Sequence, residues 1–304
     1  FEPVPPDIDP EKEKHILGAQ ANVWTEYIPT PEHAEYMLLP RLSALSEVVW
    51  SPKEARNLKD FHFRMQSFYE RLTEMQINFR IPTPLGFGGE RTIFGETVVE
   101  LENPLSTGEI RYTLDGSDPG EGSLLYGEPI KITGDAEIKS RIFLDNGKMS
   151  SLTTEKIFLV NKKKNGLRFK YYEGRWEKLP DFGNLKIKGN GRCYSFDLKE
   201  ARQREEFYGV VFSGFLKLKK KGEYTFYTIS DDGSKLYVDG KLVVDNDGFH
   251  GAQEESGSIE LKSGSHKITV EYFESSGTEK LEVLYEGPGI EKQKISPPSF
   301  FYKK

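Results

Sequence analysis

Cysteine is almost absent from this chain: its 304 residues include a single one, Cys193. One cysteine cannot form an intrachain disulfide, and it excludes zinc sites built from several thiolates. No run of apolar residues approaches the roughly 20 that a membrane-spanning helix needs. An excess of basic residues is also missing, since 48 acidic and 42 basic side chains give a net charge of -6. The overall charge therefore favours neither nucleic acid nor an anionic membrane as a partner.

An initiator methionine is missing as well, because the chain begins Phe1-Glu2-Pro3 without a charged leader and an apolar stretch. We therefore expect a processed or truncated chain, with any targeting signal outside it. What is present suits folded domains, since 36% of the residues are hydrophobic and 12% are aromatic. At roughly 150 residues per domain, the length allows about two domains or three small ones.

The pattern from Phe1 to about Pro84 is mainly helical. Residues 16–24 are apolar and rich in small side chains, and they predict a short buried strand. The pair Thr30-Pro31 predicts the start of a helix, which Pro40 should kink or split. A second helix, ended by Pro82, is predicted from the spacing of Phe61, Met65, Phe68, Leu72 and Met75.

From about Leu85 onward the pattern is almost entirely strands and turns. Short strands separated by turn formers in residues 91–160 predict a small β-sandwich. A lysine-rich linker, residues 161–166, precedes a second and larger β-rich region. In that region Asp239-Gly240 lies between two strand patterns and tolerates the positive φ of a type I′ turn, so we predict a β-hairpin there.

Trp24 and Glu26 lie two residues apart at the end of the predicted strand, so both side chains should point to the same side. An indole face against C–H groups and a carboxylate that accepts from hydroxyls suit a sugar pocket. A packed tryptophan and a solvated glutamate at a strand end fit the same pattern. The two residues by themselves leave both interpretations open.

Between His15 and Pro52 the chain carries a long and specific set of residues: Gly18, Gln20, Trp24, Glu26, Pro40, Arg41, Ala44, Glu47 and Trp50. This set resembles the last strand and helix of glycoside hydrolase family 20, the β-N-acetylhexosaminidases, whose fold is a (β/α)₈ barrel. The resemblance implies that Trp24 lines the sugar pocket and that Glu26 hydrogen-bonds the outer hydroxyls of the sugar. It also implies structural roles for Glu47 and Trp50, which would fix the last helix against the barrel.

A complete barrel needs about 250 residues, whereas only the residues up to Pro84 precede the β-rich region. The family's catalytic pair is an adjacent Asp-Glu, in which Glu protonates the leaving oxygen and Asp orients the substrate's own acetamido group. No Asp-Glu dipeptide occurs in the chain. We therefore predict the C-terminal part of such an enzyme, with no catalytic residue in this chain and no activity by itself.

Residues 110–119, followed by Tyr126, Pro129 and Ser151, are similar to the small β-sandwich found after the barrel in bacterial chitobiases and hexosaminidases. That resemblance implies an architectural role. The acidic residues between Asp115 and Pro119 also permit a metal loop, although Asp, Gly and Pro are ordinary turn residues.

After Gly166 the chain carries characteristic motifs at residues 171–176, 179–182, 207–214 and 230–240. They resemble the protective-antigen-type β-sandwich, which occurs in bacterial toxins, glycosidases and yeast adhesins. In lectin members an adjacent Asp pair joined by a cis peptide binds Ca²⁺, and the ion holds sugar hydroxyls.

The resemblance places such a calcium pair at Asp231 and Asp232. The alternative is a simple turn that enters the hairpin, with acids kept for folding. Residues 245–248 and His250 offer further oxygens or a sugar contact, but their spacing is not that of an EF-hand.

These observations predict a mixed, mainly β chain: residues 1–84 from an incomplete (β/α)₈ barrel, 85–161 as a small Ig-like β-sandwich, and 166–304 as the protective-antigen-type β-sandwich. The predicted parent is a periplasmic or secreted exo-β-N-acetylhexosaminidase that removes terminal N-acetylhexosamine from glycans. Its chemistry requires no cofactor. The alternatives are a carbohydrate-binding or adhesion protein that acts through the last sandwich, and a pair of sandwiches that serve as spacers.

Overall fold

The computed structural model describes residues 2–105 and 107–303. The chain is mainly β, with its longer helices before residue 75, which confirms the predicted fold class. It divides into two compact units: residues 1–89, 98–132 and 136–156 form the first, and residues 90–97, 133–135 and 157–304 form the second. The finer division predicted from the sequence, with boundaries at residues 84, 161 and 166, stays a prediction. Within the described ranges, no helix is long and apolar enough to cross a membrane.

The α-helices are α1 (Pro10–Glu13), α2 (Pro31–Leu38), α3 (Arg41–Trp50), α4 (Leu58–Glu74) and α5 (Leu198–Ala201). Short three-ten helices lie at Thr25–Tyr27, Lys53–Ala55, Phe182–Asn184 and Pro297–Ser299. The predicted start of α2 is confirmed, because Thr30 Oγ1 accepts a hydrogen bond from His33 N at 3.2 Å. The predicted split at Pro40 is confirmed too, since this residue separates α2 from α3 and follows a cis peptide bond.

The predicted strand over residues 16–24 is wrong, because this stretch has no regular secondary structure. A strand satisfies its backbone groups by pairing with a neighbour, and no strand in the described part of the chain pairs with these residues. The burial expected for this strand is missing as well, since Leu17 is 95% exposed and none of residues 16–24 is buried.

Helix α4 buries Met65 and Leu72 on one face, as its spacing predicted. Its N-terminus is capped by Asn57, whose Oδ1 accepts from Asp60 N at 3.1 Å. The prediction that Pro82 ends this helix is wrong. The helix ends before Met75, and Gln76 then adopts a left-handed φ of 58° that turns the backbone away.

The first seven strands are β1 (Gly89–Ile93), β2 (Thr97–Val99), β3 (Glu109–Thr113), β4 (Leu124–Leu125), β5 (Ile130–Ile132), β6 (Ala136–Phe143) and β7 (Thr153–Leu159). In the first unit, β3 pairs antiparallel with both β4 and β6. Alternate residues of β6 are buried, including Ile138 and Ile142, so one face of this sheet covers a core.

The remaining strands are β8 (Leu167–Glu173), β9 (Gly189–Cys193), β10 (Tyr208–Leu218), β11 (Gly222–Asp231), β12 (Ser234–Val238), β13 (Lys241–Asn246), β14 (Gln253–Leu261), β15 (Gly264–Glu274), β16 (Lys280–Gly287), β17 (Ile290–Lys294) and β18 (Phe300–Phe301). They form a seven-stranded sheet in the order β13-β12-β15-β10-β8-β9, with β18 added to β10. A four-stranded sheet has the order β14-β11-β16-β17.

The inward faces of these two sheets share one hydrophobic core that is rich in aromatic side chains: Tyr171, Tyr208, Phe212, Tyr224, Phe226 and Tyr272. Cys193 belongs to this core as a buried free thiol, and burial raises the pKa of that thiol. The predicted hairpin is confirmed as β12–β13, with φ of 49° at Asp239 and 79° at Gly240.

Candidate functional site

Trp24 and Glu26 lie at the start of the three-ten helix Thr25–Tyr27 and point into solvent. Trp24 is 75% exposed, so the interpretation as a packed tryptophan at a strand end does not hold in this structure. Glu26 is exposed and has no hydrogen-bond partner in the described ranges. Both side chains are therefore available to a ligand, and their place in a sugar pocket stays a prediction.

Glu47 connects the two longer helices of the first unit. Its Oε1 and Oε2 accept from Arg64 Nη2 at 2.7 Å and Nη1 at 3.1 Å, which joins α3 to α4. Hydrogen bonds from Arg64 also lower the pKa of Glu47. This geometry supports the structural role expected for Glu47. Trp50, in contrast, is 88% exposed and is not packed by the described residues.

The acidic segment from Asp115 to Pro119 is used as a turn. Asp115 Oδ1 accepts from Ser117 N at 3.0 Å and from Ser117 Oγ at 2.6 Å, a local pattern that closes a turn. Asp118 pairs with Lys139 at 2.8 Å. The protein's own donors thus engage both acids, which supports the turn interpretation over a metal loop.

Asp231 and Asp232 lie where the chain passes from β11 in one sheet to β12 in the other, and the peptide bond between them is cis. Both residues are buried. The next residue has to be small, because a Cβ at Gly233 would lie 2.6 Å from Phe273 Cε1 and 2.8 Å from Gly248 N. This crossing is therefore tightly packed against the loop that follows β13.

The two carboxylates hold neighbouring loops in place. Asp232 accepts from Ser275 N at 2.8 Å and from His250 N at 3.2 Å. Asp231 Oδ2 accepts from Thr278 Oγ1 at 3.0 Å. Burial raises the pKa of Asp232, and the two backbone hydrogen bonds oppose that effect. The pair thus anchors the loop after β13 and the loop after β15 at one end of the sandwich.

A third acid, Glu274, lies beside this pair, and the sequence analysis missed it. Its side chain is fully buried, and burial raises its pKa to about 7. The Tyr272 hydroxyl lies 2.6 Å from Glu274 Oε2 and 2.5 Å from the main-chain oxygen of Asp231. One hydroxyl proton can serve only one acceptor, so both bonds form when Glu274 is protonated and donates to Tyr272.

A signal for Glu274 was present in the sequence. Ile268, Val270 and Tyr272 alternate on the core face of β15, and the period of two places Glu274 on the same face. Its other oxygen, Oε1, is buried and has no hydrogen-bond partner among the residues that the structure describes.

The comparisons with known families agree with the three resemblances. Residues 1–53 match the glycosyl hydrolase family 20 catalytic domain, and residues 99–157 match the Fn3-associated family. Residues 163–298 match the PA14 domain, a range that contains every strand of the two-sheet sandwich except β18. We refer to the sandwich that this family model matches as the PA14 domain.

Relatives are found for most of the chain and for part of its PA14 domain. A β-hexosaminidase of Porphyromonas gingivalis is 26% identical over 295 residues, which cover 88% of this chain and 36% of that protein. The chain therefore spans about a third of that relative's length. The protective antigen of Bacillus anthracis is 32% identical over 79 residues, covering 26% of this chain and 10% of that protein. A solved PA14 sugar-binding domain from an RTX adhesin aligns at 18% identity and a TM-score of 0.40, over 46% of this chain and 99% of that one.

The acids of the PA14 domain do not form a ready metal centre. In the part of the chain that the structure describes, no group of three or more His, Cys, Asp or Glu side chains could hold a metal ion. His250 uses its ring atoms locally, with Nδ1 2.9 Å from Gly251 O and Nε2 3.2 Å from Asn246 O. A calcium role for Asp231 and Asp232 therefore stays a prediction, and the geometry favours their role as loop anchors.

An aromatic side chain is presented beside these anchors. Phe249 is 60% exposed on the loop that Asp232 holds through His250 N. A large exposed apolar side chain on a fixed loop offers a flat surface to a ligand, and aromatic rings suit the C–H face of a sugar. We call the end of the PA14 domain that carries the loops after β13 and β15 the loop end. It combines the exposed Phe249 ring with polar loop groups.

Proposed function

We propose that this chain forms part of an exo-acting β-N-acetylhexosaminidase. The observation that supports it is the family 20 match of residues 1–53 together with the alignment to a β-hexosaminidase along 88% of the chain. In this proposal Trp24 covers one face of the terminal sugar, and Glu26 accepts hydrogen bonds from its outer hydroxyls. The glycan substrate places the protein in the periplasm or outside the cell.

In this proposal the acid that protonates the leaving group lies outside residues 1–304, because this sequence contains no Asp-Glu dipeptide. We expect the purified chain to release no chromophore from a chromogenic N-acetylglucosaminide. The full reading frame that contains the chain should release it. Turnover by the chain itself, above a control without enzyme, would contradict the assignment of its catalytic residues.

The substrate contacts are tested in the full reading frame. Glu26→Gln should lower kcat/KM by about 10- to 100-fold, because a charge-assisted hydrogen bond contributes roughly 1.5–3 kcal/mol. Trp24→Ala should lower it further, through the lost wall of the pocket. Glu32→Gln, an exposed glutamate on α2, is the matched control and should behave like wild type. Wild-type kinetics for both Trp24 and Glu26 variants would show that the resemblance fails at these positions.

A second candidate function is glycan binding by the PA14 domain, and the exposure of Phe249 beside the Asp232 anchor favours it. In this candidate the Phe249 ring stacks on a sugar face at the loop end. Phe249→Ala should abolish retention of the chain on immobilised chitin oligosaccharides, whereas Phe63→Ala, an exposed phenylalanine on α4, should leave it unchanged. Equal retention of both variants would rule out this loop as the binding surface.

A further inference from the structure

A groove of about 320 Å³ lies on the outer face of the seven-stranded sheet, away from the core of the PA14 domain. Its floor is formed by Val211, Ser213 and Thr269, which point outward from β10 and β15. Small-molecule sites in proteins have volumes of about 300–1,000 Å³. We call it the outer-face groove, and it has the size of a site for one sugar residue.

Positive charges surround the centre of the outer-face groove. Strand register places Arg168 directly opposite Ser213, with Lys170 and Lys267 at diagonal positions on the two neighbouring strands. Diagonal neighbours across a sheet lie about 7–8 Å apart, which a lysine side chain can span. An anionic group over the Ser213 hydroxyl is therefore within reach of both ammonium groups.

These cations are not neutralised by the protein. Lys170 and Lys267 are exposed, and neither forms an ion pair with any residue in the described ranges. The hydroxyls of Ser213 and Thr269 likewise have no hydrogen-bond partner in those ranges. The groove thus presents cations and hydroxyls that the described residues do not engage.

The groove is also lined by one acid, Glu271. Glu271 lies directly opposite Lys235 on β12 and accepts from the Tyr237 hydroxyl at 3.2 Å. Lys235 in turn pairs with Asp247 at 2.9 Å. Glu271 lies across Val211 from Lys170 and is diagonal to Ser213. It therefore offers an acceptor to a sugar hydroxyl beside the three cations Arg168, Lys170 and Lys267, which outnumber it.

The side wall of the groove is apolar. It is formed by Phe182, Leu185 and Ile187, from the segment between β8 and β9, and the Phe182 ring packs on Tyr172 with centroids 4.9 Å apart. A bare inorganic anion makes no use of such a wall. A pyranose ring does, because its C–H face is apolar while its rim carries hydroxyls.

We propose that the outer-face groove binds an acidic sugar residue of a glycan, one that carries a carboxylate or a sulfate. The anionic group lies over Ser213 between Lys170 and Lys267, and the ring lies against Leu185 and Ile187. Glu271 and Thr269 bond the hydroxyls. This site is separate from the loop end at Phe249 and goes beyond the function proposed above.

The test is calorimetric titration of the whole chain, in the presence of a chelator, with four probes. These are glucuronic acid, N-acetylglucosamine 6-sulfate, uncharged N-acetylglucosamine and inorganic sulfate. We expect at least one acidic sugar to bind about tenfold more tightly than the other two probes, and its affinity to fall as salt is added. The two acidic sugars distinguish a carboxylate from a sulfate. Equal affinity for the uncharged sugar, or sulfate binding as tight as that of the sulfated sugar, would overturn the proposal.

Variants locate the site. The double substitution Lys170→Gln and Lys267→Gln should weaken acidic-sugar binding by about tenfold or more, and the matching pair of arginine substitutions should retain it. Lys219→Gln with Lys241→Gln removes the same charge from exposed positions outside the groove and should change nothing. An equal loss in this control pair, or no loss in the groove pair, would refute the location. A loss caused by Phe249→Ala instead would assign the binding to the loop end.

Discussion

Residues 2–60 and the PA14 domain differ in the burial of their large apolar side chains. Residues 2–60 contain no buried side chain, and Leu17, Trp24 and Trp50 are all largely exposed. The PA14 domain instead buries Tyr208 and Phe212 completely between its two sheets. Hydrophobic residues stabilise a fold only where a second layer covers them, and the PA14 domain builds both layers from its own strands.

This comparison predicts that replacing an aromatic residue by alanine costs much stability in the PA14 domain and almost none in the first 60 residues. Phe212→Ala should lower the free energy of unfolding of the PA14 domain by about 3–5 kcal/mol, since it removes a buried ring and leaves a cavity. That ring makes edge contacts with Phe196 at 5.6 Å. Trp50→Ala should change the free energy of unfolding of the first unit by less than about 0.5 kcal/mol, as expected for an exposed position.

Chemical denaturation followed by circular dichroism measures both changes. The pair is matched because each variant removes one aromatic ring from the same chain. Equal costs for Phe212→Ala and Trp50→Ala would mean that Trp50 is packed in solution, and the contrast between the two regions would then fail.

A second prediction concerns the buried acid of the PA14 domain. The pKa of Glu274 is raised from 4.5 to about 7, mainly by burial and then by the nearby charges of Asp232, Asp231 and Glu279. The folded state therefore holds this proton more tightly than the unfolded chain does. The free energy of unfolding falls as the pH rises from about 4.5 to about 7. The loss approaches about 3 kcal/mol above pH 7, at 1.36 kcal/mol per pKa unit.

Glu274→Gln should remove this pH dependence, because the amide is neutral at every pH and still donates to Tyr272. We expect the variant to match wild type near pH 4.5 and to be the more stable protein at pH 8. Glu260→Gln, on the exposed edge of β14, is the control and should keep the wild-type slope. Parallel pH profiles for wild type and Glu274→Gln would show that Glu274 does not titrate in this window.

Local chemistry decided which elements could be predicted from the sequence. The helix start at Thr30, the split at Pro40 and the Asp239-Gly240 hairpin each depend on residues that act within a few positions. The strand over residues 16–24 was wrong because a strand exists only with a partner, which the local pattern does not reveal. Helix α4 ended early for a similar reason, since the left-handed Gln76 has no strong local signal.

The candidate sites also differ in whether their residues are adjacent in the sequence. Asp231 and Asp232 could be located from their motif, because the residues that form the crossing from β11 to β12 are adjacent in the sequence. The outer-face groove could not, since Lys170, Ser213 and Lys267 come from three strands and meet only through sheet register. Glu274 is an intermediate case. The alternation of buried residues in β15 predicts that its side chain points into the core, but its environment there depends on tertiary packing.

The smallest expected effect concerns calcium at Asp231 and Asp232. Both acids already accept hydrogen bonds from the protein, from Ser275 N at 2.8 Å and Thr278 Oγ1 at 3.0 Å among others. A calcium ion takes about 6–8 oxygen ligands, and no group of three suitable side chains exists in the described residues. We therefore expect that Ca²⁺ changes the Tm of the PA14 domain no more than Mg²⁺ does.

Asp231→Asn separates the two roles of this acid. As a loop anchor, Asp231 loses the charge on its hydrogen bond from Thr278, although an amide oxygen can still accept there, so the variant should be less stable by about 0.5–2 kcal/mol with or without calcium. As a calcium ligand, it would make the difference between wild type and variant depend on the ion, because a ligand that binds only the folded state raises Tm by mass action. Thermal melts of both proteins in Ca²⁺, in Mg²⁺ and in chelator measure this. A stabilisation specific to Ca²⁺ that vanishes in Asp231→Asn would show that the loops rearrange to complete a metal site, and it would favour glycan binding at this end of the PA14 domain.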